Sequence, residues 1–296
     1  MELNFLTFRV LQAMFGGAAT LVIPGTIRLL FGKDTVKGLS YVSSIMMIAP
    51  MLAPSLGGLV LSLSSWRMIF ILLAAYAALI FVFSYRFFPA ADKIEKISMP
   101  LHQVYFSSYK RIFSTENIRR YLLISMLASF TFFTYITGVA FVYIKVLHFS
   151  EFTFGLVFGI NVLVLMTSNF VNSKLTPIYG EKTLLGYYWI IAISFSSALI
   201  LSVYFNLSWI FILLSLIPLM GCLMAMIISA DSLILQSFSK FTGTATAVIG
   251  TLRFASGALA GPLLALLYDG SAKPFAVLIC SGVMAIGMAN YLSRDT

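Results

Sequence analysis

Apolar residues run along the chain in nine long stretches, separated by short polar segments. Each stretch is long enough to cross a hydrocarbon core of about 30 Å, which takes about 20 helical residues. The stretches are continuous rather than alternating, so they predict helices and not the strands of a barrel. The nine predicted spans are residues 5–31, 39–63, 66–88, 121–147, 152–175, 184–205, 209–235, 244–268 and 274–292.

The composition requires lipid as the solvent. Of the 296 residues, 60% are hydrophobic and only 10% are charged, whereas soluble domains carry about 25% charged residues. The sequence contains no nucleotide-binding loop, no HExxH and no nucleophile elbow, which argues against an enzyme. Cys222 and Cys280 lie inside apolar runs and are interpreted as small buried hydrophobes. We therefore expect no metal and no cofactor.

The basic residues are distributed unevenly between the two sides of the membrane. Fourteen Lys and Arg residues fall on the side that holds the C-terminus, and three fall on the other. Positive charge marks the cytoplasmic side, so the C-terminus is predicted to be cytoplasmic and, with nine crossings, the N-terminus outside. The net charge of +9 is thus a topology signal, and nucleic acid is not an expected partner.

The longest polar segment, residues 89–120, divides the spans into three before it and six after it. We predict three parts: 1–88 with three spans, 89–120 as a cytoplasmic linker, and 121–296 as a six-helix bundle. Apolar residues recur at helical spacing within the linker, which favours an amphipathic helix on the inner membrane face, with a docking site for a cytosolic partner as the alternative. The segments 49–54 and 256–261 form a faint repeat, as in transporters built from two parallel halves.

Charged residues inside apolar runs are candidates for function because they are costly there. Arg9 should face the bundle interior, a cavity or a carboxylate, although it could also extend to the interface. Asp231 lies near the inner end of its span, and Arg253 lies at comparable depth in the next. We hypothesise that Asp231 and Arg253 form an ion pair between helices in a partly wet cavity.

Helix breakers are concentrated in the stretch APMLAPSLGG of the second span. Pro54 removes a backbone donor, and Gly57 and Gly58 allow close approach of another helix. The pattern predicts either a kinked packing helix or a bendable helix that gates a central cavity.

Several motifs in order resemble the major facilitator superfamily, specifically its bicyclomycin/chloramphenicol-type drug:proton antiporters. FRVLQAMFGGAA, with Arg9 and Gln12, resembles the family's fourth-helix motif. The stretch with Ala53, Pro54, Gly57 and Gly58 resembles the fifth-helix antiporter motif, and FTGTATAVIGTLRFASGAL resembles the entry to the eleventh helix. The resemblance covers the whole chain and implies helices four to twelve of twelve, with one to three absent.

The resemblance implies proton-coupled efflux of small hydrophobic or cationic drugs across the bacterial inner membrane by alternating access. By this resemblance Arg9 and Gln12 would act in proton coupling, and the 53–58 stretch would be the gating helix. Asp231 and Arg253 are added as coupling candidates from their own positions, because an arginine at 253 departs from the family pattern. Candidates for a substrate cavity are the aromatic and uncharged polar residues Phe132, Tyr135, Asn161 and Asn169. The chain is expected to be a monomer in the lipid bilayer, with a drug-like molecule and protons as partners. The alternatives are a truncated fragment that transports nothing and a membrane scaffold or partner subunit of the same fold.

Overall fold

A computed structural model describes residues 6–16, 26, 45, 52–53, 56–87, 116–237 and 242–292, and these residues are helical with short connections. The chain separates into two compact units, Met1–Ala53 and Pro54–Thr296. In the first unit, residues 6–16 form a helix. In the second, residues 56–63 are helical and precede eight further helices. These are α1 (Trp66–Phe87), α2 (Glu116–Phe141), α3 (Glu151–Tyr179), α4 (Glu181–Tyr204), α5 (Trp209–Ser237), α6 (Thr242–Ala258), α7 (Ala260–Leu266) and α8 (Lys273–Leu292).

Seven helical segments of the described part are long and apolar enough to cross a membrane. They correspond to the last seven predicted spans and confirm an all-helical polytopic fold. The first two predicted spans lie mostly outside the described residues. The linker and its amphipathic helix also lie outside them, except for residues 116–120, which begin α2.

The centre of the second unit is α5, which packs against α2, α3, α4 and α6. Residues 219–223 of α5 are buried in succession, so the middle of this helix is covered on every face. Gly221 allows close packing with α3, because a Cβ at this position would lie 3.2 Å from Ser168 Oγ. The same hydroxyl donates a hydrogen bond of 2.7 Å to the Gly221 carbonyl. In contrast, none of the residues of α1 is buried.

The predicted span 244–268 corresponds to the candidate membrane span Val248–Leu266, but its helix is interrupted at one residue. The structure divides it into α6 and α7 at Leu259. Pro262 explains the break, because it has no N–H to donate to the carbonyl of Ala258, where α6 ends, and its ring crowds that turn. A second irregularity follows α2, where residues Val142–Val146 form a π-helical turn.

Candidate functional site within the membrane helices

Asp231 on α5 and Arg253 on α6 meet inside the bundle. Arg253 donates through Nη2 to Asp231 Oδ2 in an ion pair. Ser125 of α2 donates a hydrogen bond of 2.7 Å to the other carboxylate oxygen, Oδ1. Three helices therefore converge on one carboxylate.

The contact between α2 and α6 continues one turn along α6. Ser256 Oγ lies 3.1 Å from the carbonyl of Met126 and 2.9 Å from that of Arg253. This hydroxyl ties the backbone of α6 to α2 beside the ion pair. The Asp231 carboxylate thus lies where α2, α5 and α6 meet. Polar contacts hold these helices together there, through Asp231 itself and, one turn away, through Ser256.

The described residues cover this charged pair only in part. The side chains of Arg253 and Asp231 are 29% and 18% exposed, so neither is sealed in the apolar core. Arg253 Nε is buried and has no hydrogen-bond partner among the described residues. Ionisable residues inside membrane helices are costly and commonly mark functional sites, so this pair is a candidate site.

Tyr135 of α2 and Asn161 of α3 also come together. Asn161 Nδ2 donates to the Tyr135 hydroxyl, and Phe158 stacks on the Tyr135 ring with 6.1 Å between centroids and 9° between planes. Both residues are 1% exposed. In this conformation the two substrate candidates bind each other in a closed core.

The other two substrate candidates lie apart from this pair. Phe132 is half-buried against the core and meets Phe133 edge-on, with 6.3 Å between ring centroids. Asn169 is half-buried, and its Oδ1 has no hydrogen-bond partner within the described part of the chain. The structure thus joins two of the four candidates and leaves the other two separate.

A second polar cluster, around Asn172 of α3, was not found from the sequence. Asn172 is 4% exposed, and its Oδ1 accepts a hydrogen bond of 3.0 Å from the Tyr188 hydroxyl of α4. Ser229 of α5 lies 3.4 Å from the same oxygen. The signal was available, because Asn172 follows Asn161 by three helical turns and shares its face.

Arg9 and Gln12 lie on the exposed helix 6–16. Arg9 Nη1 donates a hydrogen bond of 3.0 Å to Gln12 Oε1 one turn further along. The two residues of the fourth-helix motif are therefore direct neighbours on one helix face.

The predicted gating stretch is only partly described. Ala53 is helical and exposed, Pro54 lies outside the described residues, and Gly57 is half-buried. Gly58 is buried, and a Cβ there would lie 3.1 Å from the carbonyl oxygen of Glu151 at the start of α3. At this position a glycine allows the close approach of two backbones.

Comparison with known proteins gives a consistent result. The Major Facilitator Superfamily matches residues 3–262 of the chain. A bicyclomycin resistance protein homolog of Haemophilus influenzae is 27% identical over 295 residues, which cover 97% of this chain and 73% of that protein. An uncharacterized MFS-type transporter of Bacillus subtilis, YdgK, is 25% identical over 263 residues, which cover 86% of this chain and 64% of YdgK.

The match covers most of the chain and agrees with the seven apolar helices long enough to span a membrane. The resemblance inferred from the motifs is thereby confirmed. This chain belongs to the Major Facilitator Superfamily of membrane transporters.

Proposed function

We propose that this chain takes part in proton-coupled efflux of small hydrophobic or cationic compounds across the bacterial inner membrane. The observation that carries the proposal is the partly exposed Asp231–Arg253 pair inside membrane-spanning helices. Ionisable residues at such positions are expensive and are typical of ion pathways. The relative whose name refers to bicyclomycin resistance supports drug-like compounds as the cargo class.

The proposed mechanism uses one carboxylate for two ligands. When Asp231 is ionised it holds Arg253 and accepts from Ser125, which links α5, α6 and α2. A proton on Asp231 removes the negative charge and weakens the link to Arg253, so the joint between these helices can rearrange. A cationic compound competes for the same carboxylate, so proton and cation bind alternately and move in opposite directions.

The remaining motif residues have proposed roles by resemblance. Arg9 and Gln12 would influence the protonation of membrane carboxylates through their charge and hydrogen bonding. The stretch from Ala53 to Gly58 would control which side the cavity faces, and the close approach of Gly58 to Glu151 is compatible with a tightly packed gate. In the proposed orientation the C-terminus is cytoplasmic.

The test is ethidium accumulation in inverted membrane vesicles that contain this chain and are energised by an imposed pH gradient. Asp231→Asn should abolish the gradient-driven part of the flux, and Arg253→Gln should reduce it. Lys174→Gln removes a charge from an exposed position on α3 and should leave the flux unchanged. If the unaltered chain transports and Asp231→Asn transports equally well, the coupling role of Asp231 is refuted. If the unaltered chain moves no dye, the alternative hypothesis of a transport-inactive fragment or membrane scaffold replaces this proposal.

A further inference from the structure

A cavity of about 290 Å³ lies between α2, α7 and α8, at the end of the bundle that holds the 267–272 turn. Its walls are Thr137, Gly138, Phe141, Leu264, Ala265, Tyr268, Ser271, Pro274 and Phe275. Along the span formed by α6 and α7, Leu264 is about 16 Å from Arg253 at 1.5 Å per residue. This outer cavity, as we call it, is therefore separate from the Asp231–Arg253 pair.

Three aromatic rings form much of the wall. Phe141 and Tyr268 meet edge-to-face, with 5.0 Å between centroids and 80° between planes. Phe275 lies against α2 because residue 138 is a glycine, whose Cβ would be only 2.5 Å from the Phe275 ring. Tyr268 remains 58% exposed, which leaves the cavity open on its side. Aromatic walls of this kind favour apolar ligands and, through their ring faces, cations.

The carboxylate of Asp269 is hydrogen-bonded to a residue that lines the outer cavity. Ser271, one of the lining residues, donates to Asp269 Oδ1 through both its hydroxyl, at 2.7 Å, and its backbone N–H, at 2.9 Å. These hydrogen bonds, with a smaller effect of the Lys273 charge, hold the pKa of Asp269 below its ordinary value. Asp269 is exposed and therefore ionised at neutral pH.

The nearby lysine does not form an ion pair with this carboxylate in the described structure. Lys273 Nζ lies over the ring of Tyr204, 5.4 Å from its centroid. The backbone N–H of Lys273 contacts Ser271 Oγ at 3.1 Å, but its ammonium group lies over Tyr204 and not at the carboxylate. The Asp269 charge therefore remains available to a ligand in the outer cavity.

We propose that the outer cavity is a binding site for a lipophilic organic cation, such as a quaternary ammonium or phosphonium ion. The aromatic walls accept the apolar substituents, and the Asp269 carboxylate bound to Ser271 complements the charge. A volume of about 290 Å³ suits a small drug-sized molecule. This site goes beyond the proposed transport function, because binding here requires neither a proton nor a conformational cycle.

The experiment is equilibrium dialysis of tetraphenylphosphonium against the purified full chain in lipid nanodiscs. Benzyltrimethylammonium and neopentylbenzene, a cation and its neutral isostere, serve as competitors. We expect the cation to compete and the neutral compound to be at least about tenfold weaker, because only the cation uses the carboxylate and the ring faces. Equal competition by the neutral compound would show an acyl-chain groove instead and overturn the proposal.

Two variants and two controls locate the bound cation. Asp269→Asn should weaken binding by about fivefold, as expected for an exposed charge, and Ala265→Trp should abolish binding by filling the cavity. If Ala265→Trp does not fold, Thr137→Leu on the opposite wall takes its place.

Transported cations are proposed to bind at Asp231, so all of these variants are made in the Asp231→Asn background, where remaining binding reports the outer cavity alone. Glu151→Gln in this background should leave binding unchanged. Complete loss of binding in Asp231→Asn itself would refute the outer site. The same holds if Asp269→Asn and the filled cavity bind normally, or if the unaltered chain binds no cation. Because the assay involves no transport, its failure is distinct from a failure of the efflux proposal.

Discussion

Removing one member of the Asp231–Arg253 pair should destabilise the bundle about as much as removing both. Taking one partner from a buried pair leaves an uncompensated charge and costs about 3–5 kcal/mol, whereas exposed pairs contribute about 0–1 kcal/mol. With side chains 18% and 29% exposed, this pair lies between these limits. We expect about 2 kcal/mol for each of Asp231→Asn and Arg253→Gln, which is about a thirtyfold change in the unfolding equilibrium.

The double variant separates coupling from simple loss of contacts. Without either charge, no unpaired ion remains, so the double variant should also lose about 2 kcal/mol rather than the sum of the singles. The implied coupling energy is about 2 kcal/mol. Unfolding in mixed detergent micelles, followed by tryptophan fluorescence and far-UV circular dichroism, measures all four proteins under one condition. Ser125→Ala serves as a control that removes one hydrogen bond to Asp231 and should cost about 1 kcal/mol. If the two single effects add in the double variant, the side chains act independently and the argument from a coupled, partly buried ion pair is refuted.

Three further outcomes follow from the packing and the outer cavity. Gly287→Ala should lower the unfolding free energy by about 1–3 kcal/mol, because the new Cβ would lie 2.2 Å from a carbon of the Trp189 indole on α4. Gly186→Ala is the matched control in the same micelle assay: its Cβ would meet nothing within 4 Å, so it should be neutral or slightly stabilising. Asn172→Leu should lower the unfolding free energy by about 1–3 kcal/mol, because it leaves the Tyr188 hydroxyl without its acceptor. Adding Tyr188→Phe to Asn172→Leu should lower it little further, and additive losses of the two single variants would contradict this. Tetraphenylphosphonium binding at the outer cavity should stay constant as the pH falls from 7 to about 4 and decline only at lower pH, because the lowered pKa of Asp269 keeps the carboxylate charged. Equilibrium dialysis at a series of pH values tests this, and a loss of binding near pH 5 would contradict it.

Much of the fold could be predicted because lipid imposes simple rules on a chain. A segment inside a bilayer must satisfy its own backbone hydrogen bonds, so a continuous apolar run of sufficient length becomes a helix. The last seven runs are helices with bounds close to those predicted. The break at Leu259 was missed because hydropathy continues unchanged through Pro262, although the proline itself was a usable signal.

The candidate site was predictable only in part. The pairing of Asp231 and Arg253 was predictable because each residue interrupts an apolar run at similar depth. Ser125, which completes the carboxylate's hydrogen bonds, resembles every other serine in the apolar spans. The hydrogen bond between Tyr135 and Asn161 depends on how α2 and α3 are rotated about their axes, and the sequence of each helix does not fix that rotation.

The sequence by itself determined that the protein lies in lipid, that its fold is all-helical, where the apolar spans lie and, through its motifs, which family it resembles. These properties are local, since each depends on the composition and order of a single segment. Only the tertiary structure decided that three helices meet at Asp231, that Asn172 joins α3 to α4 and α5, and that α2, α7 and α8 enclose a cavity beside Asp269. Helix rotation and close approach set those contacts, and they result from the packing of many side chains at once, which no single segment encodes.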